Sequence, residues 1–472
     1  MDALMLISAF LSRKQKYLMQ LLNKDFRDHV VPKSMVSLKF IGDECVTRSD
    51  LFTRCVTNCR KVEKLEIQEA TITLAYCNVI EKAFSNPQSQ KLLDRVKYLS
   101  ISNIEFDGLS EIQKEFAIGK FCQQLIKFTN LETLEIINVS LFHNVIKFLT
   151  ATQKTIGFGQ SLRVLNINAC FIPPEQANDA YIKLRDFTLL FPNIKSLMLK
   201  GLSIGEHLGD IIAATKRPEI EELNLELNGI EPEFCLYFQM NLNFETLKHL
   251  NISHNWIGLH GLELLKDHFT LFKQLEVLQI AGNKLFSQPD HHTENLRDML
   301  FCLRFNLQEL YIHENGMENE DFAILIPSLV AFQNLRVLNL CVNRINGPHF
   351  RKFLDAYIQN AAINNLKLER IEIGQNVLRE DGVTDLFQRV LQMPNITKLG
   401  LNTNKCTEYI LPNFVKFIRE LDPNRAMTID FKKQDLRPKE RDNFKSQIFE
   451  AIQTRDVVTG DFKRKQLLVV NM

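Results

Sequence analysis

Eleven histidines and ten cysteines are the side chains of this sequence best suited to chemistry near neutral pH. Three of the histidines, His249, His254 and His260, crowd around the single tryptophan, Trp256, in "HLNISHNWIGLHGLELL". A metal ion would need them on one side of the chain, and a general base would need a nucleophile beside it. The local pattern gives neither. Apolar residues alternate through the stretch as in a strand, so His249 points away from the core together with Asn251 and Ser253. His254 falls at the strand's edge and His260 near the entry of a helix. His291 and His292 lie in the polar insertion "SQPDHHTEN", which reads as an exposed loop. Cys55 and Cys59 stand four apart on a predicted helix, but no second Cys/His pair follows at zinc-finger spacing, so they read as small buried apolar residues. The sequence offers no glycine-rich phosphate loop and no carboxylate pair with a matching acid. We therefore expect no enzyme, no metal and no cofactor.

The bulk properties narrow the partners. With 57 basic and 56 acidic residues the net charge is +1, which gives no general attraction to nucleic acid or to an anionic membrane. Only "DFKRKQ" (461–466) and a few lysines are locally basic, and without interleaved aromatics nucleic acid is not an expected partner. No stretch reaches the roughly 18 uninterrupted apolar residues of a membrane span. The apolar run "ALMLISAFL" (3–11) has an acid before it and basic residues after it, the reverse of a signal peptide, and reads as a capping helix. The cysteines lack the dense spacing of a disulfide framework and read as free thiols of a reducing compartment.

The elements that hold these side chains repeat. "LNISHNWI" belongs to a series that includes "IEELNLELNGI" (220–230), "LEVLQIAGNKL" (275–285), "LQELYIHENGM" (307–317), "LRVLNLCVNRI" (335–345), "LERIEIGQNVL" (368–378) and "ITKLGLNTNKC" (396–406). The asparagine of the pattern L-x-x-L-x-L-x-x-N-x-L falls at Asn228, Asn255, Asn283, Asn315, Asn343, Asn376 and Asn404. It sits where the chain leaves the strand, and its amide can satisfy turn groups that would otherwise be buried unpaired. Upstream the apolar frame continues without the asparagine in five units, from "VEKLEIQEATI" (62–72) to "IKSLMLKGLSI" (194–204). A degenerate "AMTIDFKKQDL" (426–436) follows, and "MVSLKFIGDEC" (35–45) is a candidate fourteenth unit. Return segments carry helical spacing, as in Phe350, Phe353, Leu354, Tyr357 and Ile358. One unit cannot bury both of its apolar faces, so the expected fold is an α/β solenoid, with a parallel β-sheet on the concave face and α-helices on the convex face.

The beat of 26 to 35 residues, the N-x-L step and "NWIGLHGLELL" resemble the leucine-rich repeats of the ribonuclease-inhibitor type. That family includes ribonuclease inhibitors, Ran GTPase-activating proteins, immune-receptor sensor regions and scaffold subunits of cilia and the cytoskeleton. The resemblance implies a curved solenoid over residues 35–436. The remaining expectations are a helical N-terminal cap over 1–34, a helical C-terminal cap over 437–456, and a tail over 457–472 that leaves the solenoid to bind another chain.

Outward residues of the strands form the candidate partner-binding concave face: Glu222, Glu226, His249, Asn251, Gln279, Tyr311, His313, Asn339, Arg370 and Glu372. Glu221, Glu222 and Glu226 are expected to make one repeat acidic, and Lys398, Lys432 and Lys433 to make the C-terminal repeats basic. Trp256 is expected to pack against the neighbouring turn. A polar, laterally varied ladder suits recognition of protein surfaces. The leading expectation is a non-enzymatic scaffold in a heteromeric, cytoplasmic assembly, cytoskeletal or ciliary, that binds proteins through this face and the tail. The resemblance also implies two alternatives. One is a GTPase activator resembling the Ran-directed members, with Arg344 of "NRING" reaching the partner. The other is a substrate-recognition subunit or an inhibitor.

Overall fold

The computed structural model describes residues 37–471 apart from 43, 48, 59–60, 107, 154–157, 215–219, 242–244, 288–291, 365, 423 and 459–467. The cap expected over residues 1–34 lies outside the described residues, as do His291, Cys59 and the side chain of Cys55. The chain divides into two compact units between Asn228 and Gly229.

In the first unit the L-x-L steps become β1 (Ser37–Ile41), β2 (Lys64–Thr71), β3 (Tyr98–Glu105), β4 (Thr133–Val139), β5 (Val164–Asn168), β6 (Ser196–Lys200) and β7 (Glu222–Asn224). Each strand pairs in parallel with the next, without slippage: Leu38, Leu65, Leu99, Leu134, Leu165, Leu197 and Leu223 stand side by side. The candidate unit at 35–45 therefore contributes a strand in the common register. The second unit holds β8 (His249–Asn251), β9 (Val277–Gln279), β10 (Glu309–Tyr311), β11 (Val337–Asn339), β12 (Arg370–Glu372), β13 (Lys398–Gly400), β14 (Met427–Asp430) and β15 (Leu468–Asn471), again parallel and in register. Parallel pairing demands a crossover after each strand, and the mostly helical return segments supply it.

Inward leucines and the helices' apolar stripes enclose the core of each unit. Phe350, Phe353, Leu354 and Tyr357 of the helix Gly347–Asn364 are buried at the spacing read from the sequence. Phenylalanines carry packing from repeat to repeat. Phe52, Phe84 and Phe128 follow one another at 6.2 and 5.4 Å in the first unit, and Phe387 stacks on Phe417 at 4.5 Å in the second. Where consecutive helices start, Gly347 faces Gly382 so closely that a Cβ on Gly347 would lie 2.7 Å from the Gly382 Cα.

Every repeat turns out of its strand in the same way. The residue before the asparagine position is left-handed in all of them: Gly42, Glu69, Asn103, Asn138, Ala169, Gly201 and Leu227, then His254, Gly282, Glu314, Val342, Gln375, Thr403 and Lys433, with φ from 49° to 66°. Few are glycines, so most of these turns hold an L side chain in a conformation it disfavours. The turns are stabilised in two ways. In β2 to β4 the strand resumes after the kink, and Ala70, Ile104 and Val139 pair across the sheet. From Asn228 onward the strands shorten to three or four residues and a side-chain amide takes over. The repeats of β2 to β4 thus hold the turn without the asparagine.

Of residues 437–456, expected as a cap, all but Arg437 lie in the helix Pro438–Val458, with Phe444, Ile448 and Ala451 buried. The expectation for the tail is corrected. Leu468–Asn471 do not leave the repeats but return as β15 beside β14, and the Phe431 N–H donates to the Asn471 carbonyl at 2.8 Å. An apolar run meets an unpaired strand edge there, and pairing satisfies both.

Candidate functional site

The seven asparagines are all buried. Asn376 shows what they do: Oδ1 accepts the Ile345 N–H at 3.0 Å, while Nδ2 donates to the carbonyls of Leu340 and Ile373 at 3.0 and 3.1 Å. One amide thus closes its own turn and ties it to the preceding repeat. Asn255, Asn315 and Asn343 bond in the same manner within the second unit, as does Asn228 at the end of the first. Asn283 and Asn404 donate likewise. Sequence reasoning missed the next member. In the degenerate repeat Gln434 fills the asparagine position, accepting from Asn404 N at 3.0 Å and donating to the Leu401 carbonyl at 2.7 Å.

It also missed a second ladder on the opposite rim. The residue just before the first apolar position is asparagine at 130, 193, 306, 334 and 395. Each donates to a carbonyl of the preceding repeat: Asp94, Gln160, Lys273, Phe305 and Leu366, at 2.6 to 3.1 Å. The recurring "NL" and "NI" dipeptides were the available signal.

On the outward face the structure separates residues that the sequence grouped together. In the first unit Glu222 accepts from the Ser196 hydroxyl at 2.6 Å, Glu226 meets Lys200 at 2.8 Å, and Glu221 meets Lys195 at 2.6 Å. The expected acidic repeat is therefore neutralised by its neighbour. The expected basic repeats are tied in a similar way: Lys398 lies 3.1 Å from Glu372 and 3.5 Å from Asp430. Arg370 holds Glu372 at 2.7 Å, and Glu372 is only 8% exposed, so this carboxylate serves the scaffold. Lys432 and Lys433 remain exposed. Asn251 and Asn339 turn inward along the chain, their Oδ1 atoms accepting the backbone N–H two residues on at 3.0 Å each.

Across β8 to β11 the outward surface is largely neutral. The register sets His249, Val277, Glu309 and Val337 in one row, and Asn251, Gln279, Tyr311 and Asn339 in the next. His249 is exposed, and Gln279, Tyr311, His313 and Asn339 are half-buried. The Tyr311 hydroxyl donates to Glu309 at 2.7 Å; burial, then this carboxylate, pushes the phenol up to about 12, so it stays protonated. The Tyr311 and His313 rings stand 6.4 Å apart, and His254 and His313 6.3 Å apart.

Trp256 departs from expectation. It is 55% exposed, with the Lys284 ammonium 5.4 Å from its ring centre, and it borders an open cavity of about 590 Å³ lined also by Leu259, His260 and Leu285. It follows the buried Asn255, so the turn that secures the asparagine pushes the indole outward. Arg344 is exposed and paired with Glu318 at 2.7 Å. Among the described residues no group of three His, Cys, Asp or Glu side chains could hold a metal ion, and no helix is long and apolar enough to cross a membrane.

No family model matches the chain. It is similar to protein NLRC5 of Ictalurus punctatus, 22% identical over 294 residues, which covers 59% of this chain and 16% of that protein. It is 24% identical over 173 residues to human PH domain leucine-rich repeat-containing protein phosphatase 1, covering 34% of this chain and 10% of that one. With human NACHT, LRR and PYD domains-containing protein 14 it shares 23% identity over 394 residues, 80% of this chain and 32% of the relative. The chain is a leucine-rich-repeat protein. Its repeats span less than a third of each of these relatives' lengths. Among solved structures, an internalin from Listeria monocytogenes aligns with 76% of this leucine-rich-repeat chain and 84% of its own (14% identity, TM-score 0.38). Rad7 in its complex with Elc1 from yeast aligns with 93% and 90% (12% identity, TM-score 0.43).

Proposed function

We propose that this leucine-rich-repeat protein is a non-enzymatic scaffold of the ribonuclease-inhibitor type that holds a protein partner on the outward face of β8 to β11. In this reading it is a subunit of a larger heteromeric assembly, cytoskeletal or ciliary, in the cytoplasm. The observation that carries the reading is the row of Gln279, Tyr311 and Asn339, with His249 in the row to one side and His313 to the other, polar and aromatic groups fixed on paired strands. Strands about 4.8 Å apart present one such side chain per step, a spacing suited to a protein surface. Aromatic and amide side chains on a rigid support lose little conformational entropy when a partner covers them. Trp256, exposed at the turn after β8, adds the kind of aromatic anchor that dominates binding energy once desolvated. A low level of sequence similarity to proteins named for leucine-rich repeats is consistent with an interaction role.

The test is affinity capture of the tagged protein under gentle and high-salt washes, with each co-purifying chain quantified by mass spectrometry. The proposal expects a set of assembly proteins at fixed stoichiometry that survives salt. Recovery of a single small GTPase, or of nothing stable, would overturn it.

A further inference from the structure

β15 is an edge strand of the described sheet, anchored to the core by a single enclosed side chain. Of its residues Leu468 is buried at 1%, Val469 is 42% exposed, and Val470 and Asn471 are half-buried. Beside it β14 buries Met427 and Ile429, and Phe431 follows them into the core. The contacts at this edge are specific. Leu468 pairs with Met427 and Asn471 with Asp430. The Asn471 amide donates to Asp430 Oδ1 at 2.5 Å, and the Asn471 carbonyl accepts the Phe431 N–H at 2.8 Å. Asp430 lies 3.5 Å from Lys398 as well, so its carboxyl oxygens face the incoming strand as acceptors. A donor is required opposite it, and a second carboxylate there would be repelled.

We propose that the edge of β14 is a peptide-binding site, filled in this structure by Leu468–Asn471 and open to an extended segment of a partner protein. Such a segment carries an apolar residue three positions before an asparagine and joins the sheet in parallel. Main-chain hydrogen bonds supply the affinity in strand addition of this kind, and side chains supply the selection. The leucine position selects an apolar residue because that side chain is enclosed, and the Asp430 position selects a carboxamide. The exposed Val469 position accepts varied residues. The chain's own strand is tethered and competes at an effective concentration of order millimolar, so a partner gains access when the strand is released. This reading does not rest on the outward face of β8 to β11.

The experiment measures binding of a fluorescent peptide of residues 465–472 to the full chain by anisotropy, with amide hydrogen exchange of residues 427–431 as a second readout. In the full-length Leu468→Asp variant the resident strand is released, and the peptide is expected to bind at least tenfold more tightly than to the unaltered chain. Exchange at 427–431 rises in the variant and falls again when peptide is added. A peptide carrying Asn471→Asp binds at least tenfold more weakly. Equal binding to the variant and the unaltered chain, indifference to Asn471→Asp, or unchanged exchange would each overturn the proposal. If Leu468→Asp prevents folding, the full-length Asn471→Asp variant replaces it, with the same outcomes for the unaltered peptide.

Discussion

The carboxylate of Glu372 occupies the space that a side chain at position 400 would need: a Cβ built on Gly400 would stand 1.5 Å from Glu372 Oε2. The glycine keeps Glu372 folded over β13, within reach of Arg370 and Lys398. Gly400→Ala is expected to expel the carboxylate and to cost about 1–3 kcal/mol, as overpacking does. In the double variant with Glu372→Ala the clash is absent, since the nearest remaining atom is the Glu372 Cα at 3.4 Å. Urea denaturation of the single and double variants should therefore give a cost well below the sum of the two. Additive costs would show that the two residues are not coupled in this way.

Asn376→Ala tests the asparagine ladder. It strands the Ile345 N–H in the core and removes one of two donors from each of the Leu340 and Ile373 carbonyls, which keep Asn343 and Asn404. Leaving one buried polar group unpaired costs about 1–3 kcal/mol, so with the two further bonds lost a cost of about 2–3 kcal/mol is expected. Val139→Ala, at the equivalent place in the first unit, removes only apolar volume because β4 pairs through it, and should cost about 1 kcal/mol. Chemical denaturation of both variants checks the contrast; equal costs would contradict the two modes of turn stabilisation.

That contrast marks how far the fold was legible. The seven asparagines and the leucine register could be read because they recur at fixed spacing. Gln434 escaped because the pattern admits only asparagine, although a side chain one methylene longer bridges the equivalent groups. The availability of the outward residues was not legible. Glu372 and Lys398 are 26 residues apart in sequence and 3.1 Å apart in space, and no local pattern reports a pairing between adjacent repeats. Trp256 was misread because spacing alone does not fix which way the residue after a left-handed turn points.

Val342 holds φ at 53°, a conformation especially costly for a β-branched residue. It is 36% exposed, so its side chain contributes little core packing. Val342→Asn keeps a Cβ but tolerates this region through local hydrogen bonding, and is expected to stabilise by about 1 kcal/mol. A rise of about 1–2 °C in Tm by scanning calorimetry is the expected readout, and a fall would show that Val342 makes contacts worth more than its strain.

The described cysteines divide by reactivity. Burial pushes the thiols of Cys77 and Cys170 up to about 11 and that of Cys235 up to about 12, whereas Cys302 is exposed. Thiolate is the reactive species, so iodoacetamide at pH 8 should label Cys302 well before these three, as read by peptide mass mapping. The sign of the pH effect follows. In the unfolded chain these thiols ionise near 9.0, but in the folded protein they hold their protons to about 11 or 12. Their contribution to stability is complete below pH 9 and declines as pH rises beyond it. The Tm should drop more steeply between pH 9 and 11 in the unaltered protein than in a variant with these three cysteines changed to alanine.

The outward face and the scaffold beneath it can be separated by substitution. His249, Tyr311 and Trp256 have exposed or half-buried side chains, so their alanine variants should change stability by about 1 kcal/mol or less, as substitutions outside the core do. If β8 to β11 and the following turn hold the partner, Tyr311→Ala or Trp256→Ala weakens capture at least tenfold, since truncating an interface aromatic costs about 2 kcal/mol or more. Glu372→Ala has the opposite profile, with stability lost through the broken pairs to Arg370 and Lys398 and capture reduced only in proportion to unfolding. Stability by calorimetry and capture by quantitative mass spectrometry, measured on the same preparations, tell the two apart. Full capture by a folded double variant of Tyr311 and Trp256 would move the binding surface elsewhere on the molecule.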